Sequence, residues 1–382
     1  MRAQQIVWNN RAGWTAAEAK LGEASLVLYF GTRQSLADGA RYEELRGTFP
    51  KAHLMGCSTG GQINNDSIND DEIVAAAIAF DRTALRLTWR DIGGPQESRD
   101  CGEVIGRALH AEDLAGVFVL SDGLNVNGSE LVAGISEAIG RKVSLTGGLA
   151  GDGADFKETL VGGDCAPRTR LIVGIGFYGP AIRIGHGSAG GWDLFGPRRR
   201  VTKSAGNVLF ELDGEPALDL YERYIGPEDV KGLPGSALLF PIQVYDVDQP
   251  DSAVVRTVLA VDRDKRSMTF AGDVPQGWTA QLMRGNFDRL AAGAADAARQ
   301  ARAGLRAGDD DPQFSILVSC IGRRLLMGQR ITDEAEAAGA ELGPSTPRLG
   351  FYSYGEIAPH PKSGRCELHN QTMTVTAFAE VA

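Results

Sequence analysis

Gly56-Cys57-Ser58-Thr59-Gly60-Gly61-Gln62-Ile63 and Gly350-Phe351-Tyr352-Ser353-Tyr354-Gly355-Glu356-Ile357 share the pattern G-x-x-x-x-G-[QE]-I at identical spacing. Each follows an apolar run of strand length and a helical segment, and each precedes another apolar run. In the first copy the order is Ala24–Gly31, then Tyr42–Phe49, then the turn, then Ile73–Phe80. In the second it is Ser315–Cys320, then Thr332–Leu342, then the turn, then Thr372–Glu380. A looser copy lies between them: Val117–Leu120, the helix Ser129–Ile139, Val143–Gly153, and Leu171–Gly179. Continuous apolar runs bounded by turns read as strands buried on both faces. Glycine at their ends permits positive φ or close backbone approach. The fold expected is therefore mixed α/β, with two domains built from repeated strand–helix–strand–glycine turn–strand units.

Between the copies the composition shifts. Residues 185–197 are glycine-rich and read as irregular, and the basic run Arg198–Lys203 reads as a solvated strand end. A boundary near residues 190–205 follows, giving domains of residues 1–195 and 196–382. A long helix is expected from Trp278 to Leu305, with Met283, Phe287, Leu290, Ala294 and Ala298 on one stripe. At the start, Thr15-Ala16-Ala17-Glu18 matches a helix capping box and Gly22 a helix stop.

The chain has 382 residues, 43% of them hydrophobic and 23% charged, enough for a substantial core. A net charge of −10 disfavours nucleic acid and anionic membrane surfaces as partners. The opening residues lack the apolar segment of a secretory signal, and no run of 18 apolar residues occurs. Five dispersed cysteines without a C-x-x-C pair fit a reducing, cytoplasmic setting.

Several motifs suggest chemistry. Gly56–Gly60 matches G-x-S-x-G, the hydrolase nucleophile elbow, which would make Ser58 or Cys57 a nucleophile. The segment after it does not start a helix, as that elbow requires. Gly174–Gly179 and Gly185–Gly190 match G-x-G-x-x-G, but Pro180, Gly191 and Pro197 deny either a following helix, so neither is a dinucleotide loop. Five histidines show no metal-binding spacing. Asp122, Asn125, Asp152 and Glu356 stand at strand ends, with Arg323 and Arg324 after Cys320, and together offer both charge signs to a zwitterionic or carboxylate ligand. The motif-bearing turns add Cys57, Ser58, Thr59, Ser353, Tyr354 and Asn370 to the candidate ligand-binding residues. No catalytic residue is assigned on this reading; a hydrolase using Ser58 or Cys57 is the alternative.

The stretches Gly56–Ile63, Leu149–Gly153 and Gly176–Gly179 resemble the N-terminal FIST domain. Val201–Tyr221, Ser319–Arg324, Gly350–Ile357 and Leu368–Thr372 resemble the C-terminal FIST domain. The resemblance implies a sensory input module (the name stands for F-box and intracellular signal transduction). It implies a small ligand such as an amino acid, or, in some members, haem that senses nitric oxide. If haem is bound, His369 is the expected axial ligand. Output is expected through a separate signalling partner, such as a histidine kinase or a cyclic-dinucleotide enzyme, and the chain is a possible homodimer.

Overall fold

Three copies of one four-strand arrangement make up the body of the protein. The computed structural model describes residues 1–15, 23–140, 142–305 and 311–381. The first unit holds β1 (Arg2–Asn9), β2 (Leu26–Gly31), β3 (His53–Ser58) and β4 (Glu72–Ala79). The second holds β5 (Ala84–Asp91), β6 (Leu114–Ser121), β7 (Ser144–Leu149) and β8 (Leu171–Tyr178). The third holds β9 (Ile182–Ala189), β10 (Phe314–Cys320), β11 (Arg348–Ser353) and β12 (Met373–Glu380).

The strand order is the same in all three sheets: β3-β2-β4-β1, β7-β6-β8-β5 and β11-β10-β12-β9. The second and third strands of each unit run parallel, which requires the crossover helices that the sequence places between them. These are α1 (Arg33–Leu36) and α2 (Ala40–Thr48) in the first unit, and α4 (Gly128–Ile139) in the second, where α3 (Ser98–Leu109) packs beside it. In the third unit α6 (Ile321–Met327) and α7 (Thr332–Leu342) make the crossover, and α5 (Phe287–Gly304) precedes β10.

Alternation along the strands sets the layers. Leu26, Leu28 and Phe30 face a core that also takes in Phe118, Leu120, Phe314, Ile316 and Phe351, so the inner faces of all three sheets share it. Val27 and Tyr29 point the other way, onto Leu36, Tyr42 and Leu45 of the helices. With both faces covered, every residue of β2 is buried, which accounts for its unbroken apolar sequence.

The units also exchange strands. After its third strand each unit sends a short strand to a neighbouring sheet. Gln62–Asn64 of the first unit pairs with β11, Val161–Gly163 of the second with β3, and Gly355–Pro359 of the third with β7. Three exchanges close a ring. Three backbone hydrogen bonds mark it, from Gly60 N to Tyr352 O (2.8 Å), Gly151 N to Ser58 O (2.9 Å) and Tyr354 N to Leu149 O (3.2 Å). The donors occupy equivalent places in the three units, as do the acceptors. The G-x-x-x-x-G turns thus sit where the three units meet.

Residues 192–285, between β9 and α5, form an inserted body with its own core around Leu209, Leu218, Tyr221, Val244 and Phe270. The long strand Trp192–Ala205 pairs with Val208–Leu212 at one end and Thr279–Gly285 at the other, joining two small sheets. Two expectations change here. The glycine-rich stretch is strand, because β9 pairs along its whole length with β12. The long helix begins at Phe287 rather than Trp278: Asn286 caps it, and residues 279–285 form a strand paired antiparallel with the long strand Trp192–Ala205. Leu290, Ala294 and Ala298 are its buried stripe, Phe287 is partly exposed, and Met283 belongs to the strand. The helix expected after Thr15 falls on residues 16–22, outside the described residues.

Candidate functional site

Among the described residues, two cavities open where the units meet, both at the carboxyl ends of the parallel strand pairs. Ligands of α/β sheets gather at such ends, because the backbone there turns and leaves polar groups free.

The first, of about 480 Å³, is lined by all three units. Thr32, Arg33 and Gln34 come from the start of α1 just after β2, and Thr59, Gly60 and Gly61 from the turn after β3. Asp152 and Gly153 come from the turn after β7, and Ile321 and Arg324 from α6. Arg33 lies 3.2 Å from Glu158, 3.6 Å from Asp155 and 4.0 Å from Asp152. Arg324 bonds the Gly60 carbonyl and Asp70, the latter at 2.5 Å. Both guanidinium groups are about one-fifth to one-quarter exposed, so they reach solvent through the cavity. Gly61 makes room for Arg324: its φ is +133°, and a Cβ there would strike the guanidinium. Two planar cation forks, with the carboxylates of Asp70 and Asp152 beside them, around a cavity of this size suit a carboxylate or zwitterion.

Asp152 is the most heavily engaged of these groups. Its carboxylate accepts the backbone N–H groups of Phe156, Lys157 and Glu158, each at 2.9 Å, and the Tyr354 hydroxyl. It therefore fixes the loop that follows it and ties the second unit to the third.

The second cavity, of about 530 Å³, lies between the second unit, the third-unit turn and the inserted body. Leu124, Leu149, Phe156 and Tyr354 face Leu259 and Phe270 across it.

Among the candidate residues, Thr59 and Asp152 line the first cavity and Tyr354 the second. Others are structural as placed. Arg323 is fully buried; it pairs with Glu334 (2.7 Å) and donates to the carbonyls of Leu290 and Gly190. Glu334 in turn accepts from Ser319 and Tyr352, both at 2.8 Å. Its neighbour Arg324, not Arg323, lines the first cavity. Asp122 caps its own turn by accepting from Leu124 N and Asn125 N, accepts from Arg170 N across the fold, and receives the Asn125 side-chain amide as well.

Ser353 donates to Glu356 at 2.7 Å, and Thr372 donates to the other carboxylate oxygen at 2.9 Å. Burial nevertheless pushes the Glu356 carboxyl up to about 8. Asn370 is fully buried, and neither polar atom of its side chain has a partner among the described residues.

Neither nucleophile of the G-x-S-x-G turn is poised for attack. Ser58 Oγ donates to the Gly151 carbonyl (2.7 Å) and accepts from Leu160 N (2.9 Å), fully buried. Burial alone raises the Cys57 thiol well above its usual range.

His369 does not fit an axial haem ligand where it stands. Its Nε2 is 3.0 Å from the Ala358 carbonyl, the ring stacks 6.0 Å from His360, and burial lowers its pKa to about 4. It lines neither cavity, and neither does any other histidine. Among the described residues no three His, Cys, Asp or Glu side chains converge as a metal site. Nor is any helix there long and apolar enough to cross a membrane.

Sequence reasoning missed Arg33, Gln34 and Asp70. The available signal was position: Arg33 comes two residues after β2, as Gly123 follows β6 and Gly322 follows β10.

Residues 25–215 match the FIST N domain and residues 217–359 the FIST C domain. A stretch of 227 residues is 26% identical to an uncharacterised protein of Methanocaldococcus jannaschii, covering 54% of this chain and 41% of that protein. The chain thus spans less than half the length of this relative. A cyanuric acid hydrolase from A. caulinodans aligns over 100% of this chain and 99% of its own, with a TM-score of 0.33 and 11% identity.

Proposed function

Because this chain belongs to the FIST family, we propose that it is a sensory protein that binds a small carboxylate or amino-acid-like molecule in the first cavity. The observation carrying this reading is the convergence of Arg33, Arg324 and Asp152 on one cavity built from three units. A ligand carboxylate would sit between the two guanidinium groups, and a ligand ammonium group beside Asp70, the more exposed of the two carboxylates lining the cavity. Since the three units share the cavity wall, a bound ligand would favour one relative placement of them over others. That shift is the signal, read by a separate partner such as a histidine kinase or a cyclic-dinucleotide enzyme, in a cytoplasmic setting. The hydrolase alternative lacks an accessible nucleophile, since Ser58 and Cys57 are buried.

The test is a thermal-shift screen of amino acids and small dicarboxylates against the purified chain, followed by calorimetry on any hit. Stabilisation is expected for at least one compound, and its loss in Arg33→Ala and Arg324→Ala. If no compound stabilises the protein, or the variants respond like wild type, the reading fails.

A further inference from the structure

The second cavity differs from the first in its chemistry. None of its lining residues is charged. Leu124, Leu149, Leu259 and Phe270 give it apolar walls. One wall carries a pair of stacked rings, Phe156 and Tyr354, with centroids 4.5 Å apart and planes 15° from parallel. Gln96 and Thr269 also line it, and neither side chain is hydrogen-bonded among the described residues. A cavity of this volume with apolar walls and a few polar groups has the make-up of a small-molecule site. Flat ring faces favour a flat ring partner, and the absence of charge disfavours an ion, whose desolvation nothing here would offset.

We infer that the second cavity is a separate binding site for a neutral, ring-bearing small molecule with a hydrogen-bonding edge. Its walls come from the repeated body on one side and the inserted body on the other, so occupancy bears on how those two parts fit together. It also shares a partition with the first cavity. Tyr354 presents its ring to the second cavity while its hydroxyl holds Asp152, which lines the first. Phe156 does likewise, its ring in the second cavity and its N–H on Asp152. The chemical natures of the two ligands are distinct, one charged and one neutral, and the second site stands on its own lining whatever fills the first.

The probe is indole, titrated into the full chain and followed by calorimetry and by saturation-transfer nuclear magnetic resonance. One saturable equivalent is expected. Leu259→Trp fills the mouth from a residue that is already partly exposed, and is expected to weaken indole roughly tenfold, the scale of one lost anchoring contact. Phe156→Gly is the second variant: it removes the stacked ring, and glycine suits that residue's φ of +52°. It is expected to weaken indole as well, while Arg33→Ala leaves indole binding unchanged. Absence of saturable binding, or equal affinity in wild type and both cavity variants, overturns the proposal. Loss of indole in Arg33→Ala alone would move the site to the first cavity and overturn it too.

Discussion

The phenol of Tyr354 and the carboxylate of Asp152, 202 residues apart in sequence, meet in a direct hydrogen bond where the second and third units join. The side chain of Asp152 is almost wholly buried and has Arg33 as its nearest cation, at 4.0 Å. The bond is therefore a structural tie and also a direct link between the two cavities. Burial and the Asp152 charge raise the Tyr354 phenol, so it remains a donor at any ordinary pH.

Tyr354→Phe keeps the ring and its stacking but removes that donor. Hydrogen bonds to charged groups contribute about 1.5–3 kcal/mol, and a loss of that order is expected in urea unfolding. The variant is also expected to abolish any thermodynamic coupling between an amino acid in the first cavity and indole in the second. Titrating each ligand with and without the other measures this. An unchanged unfolding midpoint would mean the bond contributes nothing.

Glu356 sets a pH dependence. Burial raises its carboxyl from 4.5 to about 8, against the opposing hydrogen bonds from Ser353 and Thr372. The folded protein thus holds this proton while the unfolded chain releases it. Stability from this group is full below about pH 4.5, declines as pH rises, and is lost by about pH 8. Glu356→Gln removes the dependence, so the variant should gain on wild type as pH rises through this window. The gain is expected to approach about 1.4 kcal/mol for each pH unit crossed. His369, lowered to about 4, acts oppositely between its unfolded 6.5 and 4 and is common to both proteins. A stability difference that stays constant over this window would contradict the placement of Glu356.

Gly61→Ala puts a methyl group into the Arg324 guanidinium at a φ of +133°. The strain is expected to cost about 1–3 kcal/mol, seen as a lower thermal midpoint. Displacing Arg324 should also weaken the first-cavity ligand as far as Arg324→Ala does. If ligand affinity survives Gly61→Ala intact, Arg324 does not contact the ligand.

The G-x-S-x-G turn should prove chemically silent. Iodoacetamide is expected to leave Cys57 unmodified in the native protein and to label it after unfolding. A fluorophosphonate should not label Ser58. Ser58→Ala orphans Leu160 N and the Gly151 carbonyl, for an expected loss of about 1–3 kcal/mol in unfolding free energy. Native-state labelling at either residue would revive a catalytic reading.

The repeated units were legible because a parallel strand pair leaves a clear trace: an apolar run, a helix, a second run and a glycine turn. Exchange of short strands between units was not. Gln62–Asn64 would look the same in sequence whichever sheet edge it joined, and its partner Phe351 lies in another unit. The turns stand out by their glycines, and equivalent residues in them bond across units. Choosing among charged neighbours failed. Arg323 and Arg324 are consecutive on a helix, so their side chains diverge by about a quarter-turn. One enters the core and the other the cavity, and only the packing of α6 decides which. The strand at residues 279–285 left a weaker trace: Ala280 is buried between less buried neighbours, but Leu282 and Met283 are both buried and break the period of two.

The exchange of short strands has a consequence for assembly and growth. A stacked array of repeats can lengthen by one copy, because each copy touches only its neighbours. Here residue 57 must find residue 161, residue 62 must find residue 351, and residue 147 must find residue 357 before the three sheets are complete. Contacts so distant along the chain slow the search for the native state and bind the three copies into one late event. A fourth copy would have no edge to join, and deletion of one would leave two unmatched edges. Three is a closed number for this architecture, so variation among relatives should accumulate in insertions such as residues 192–285, never in the copy count.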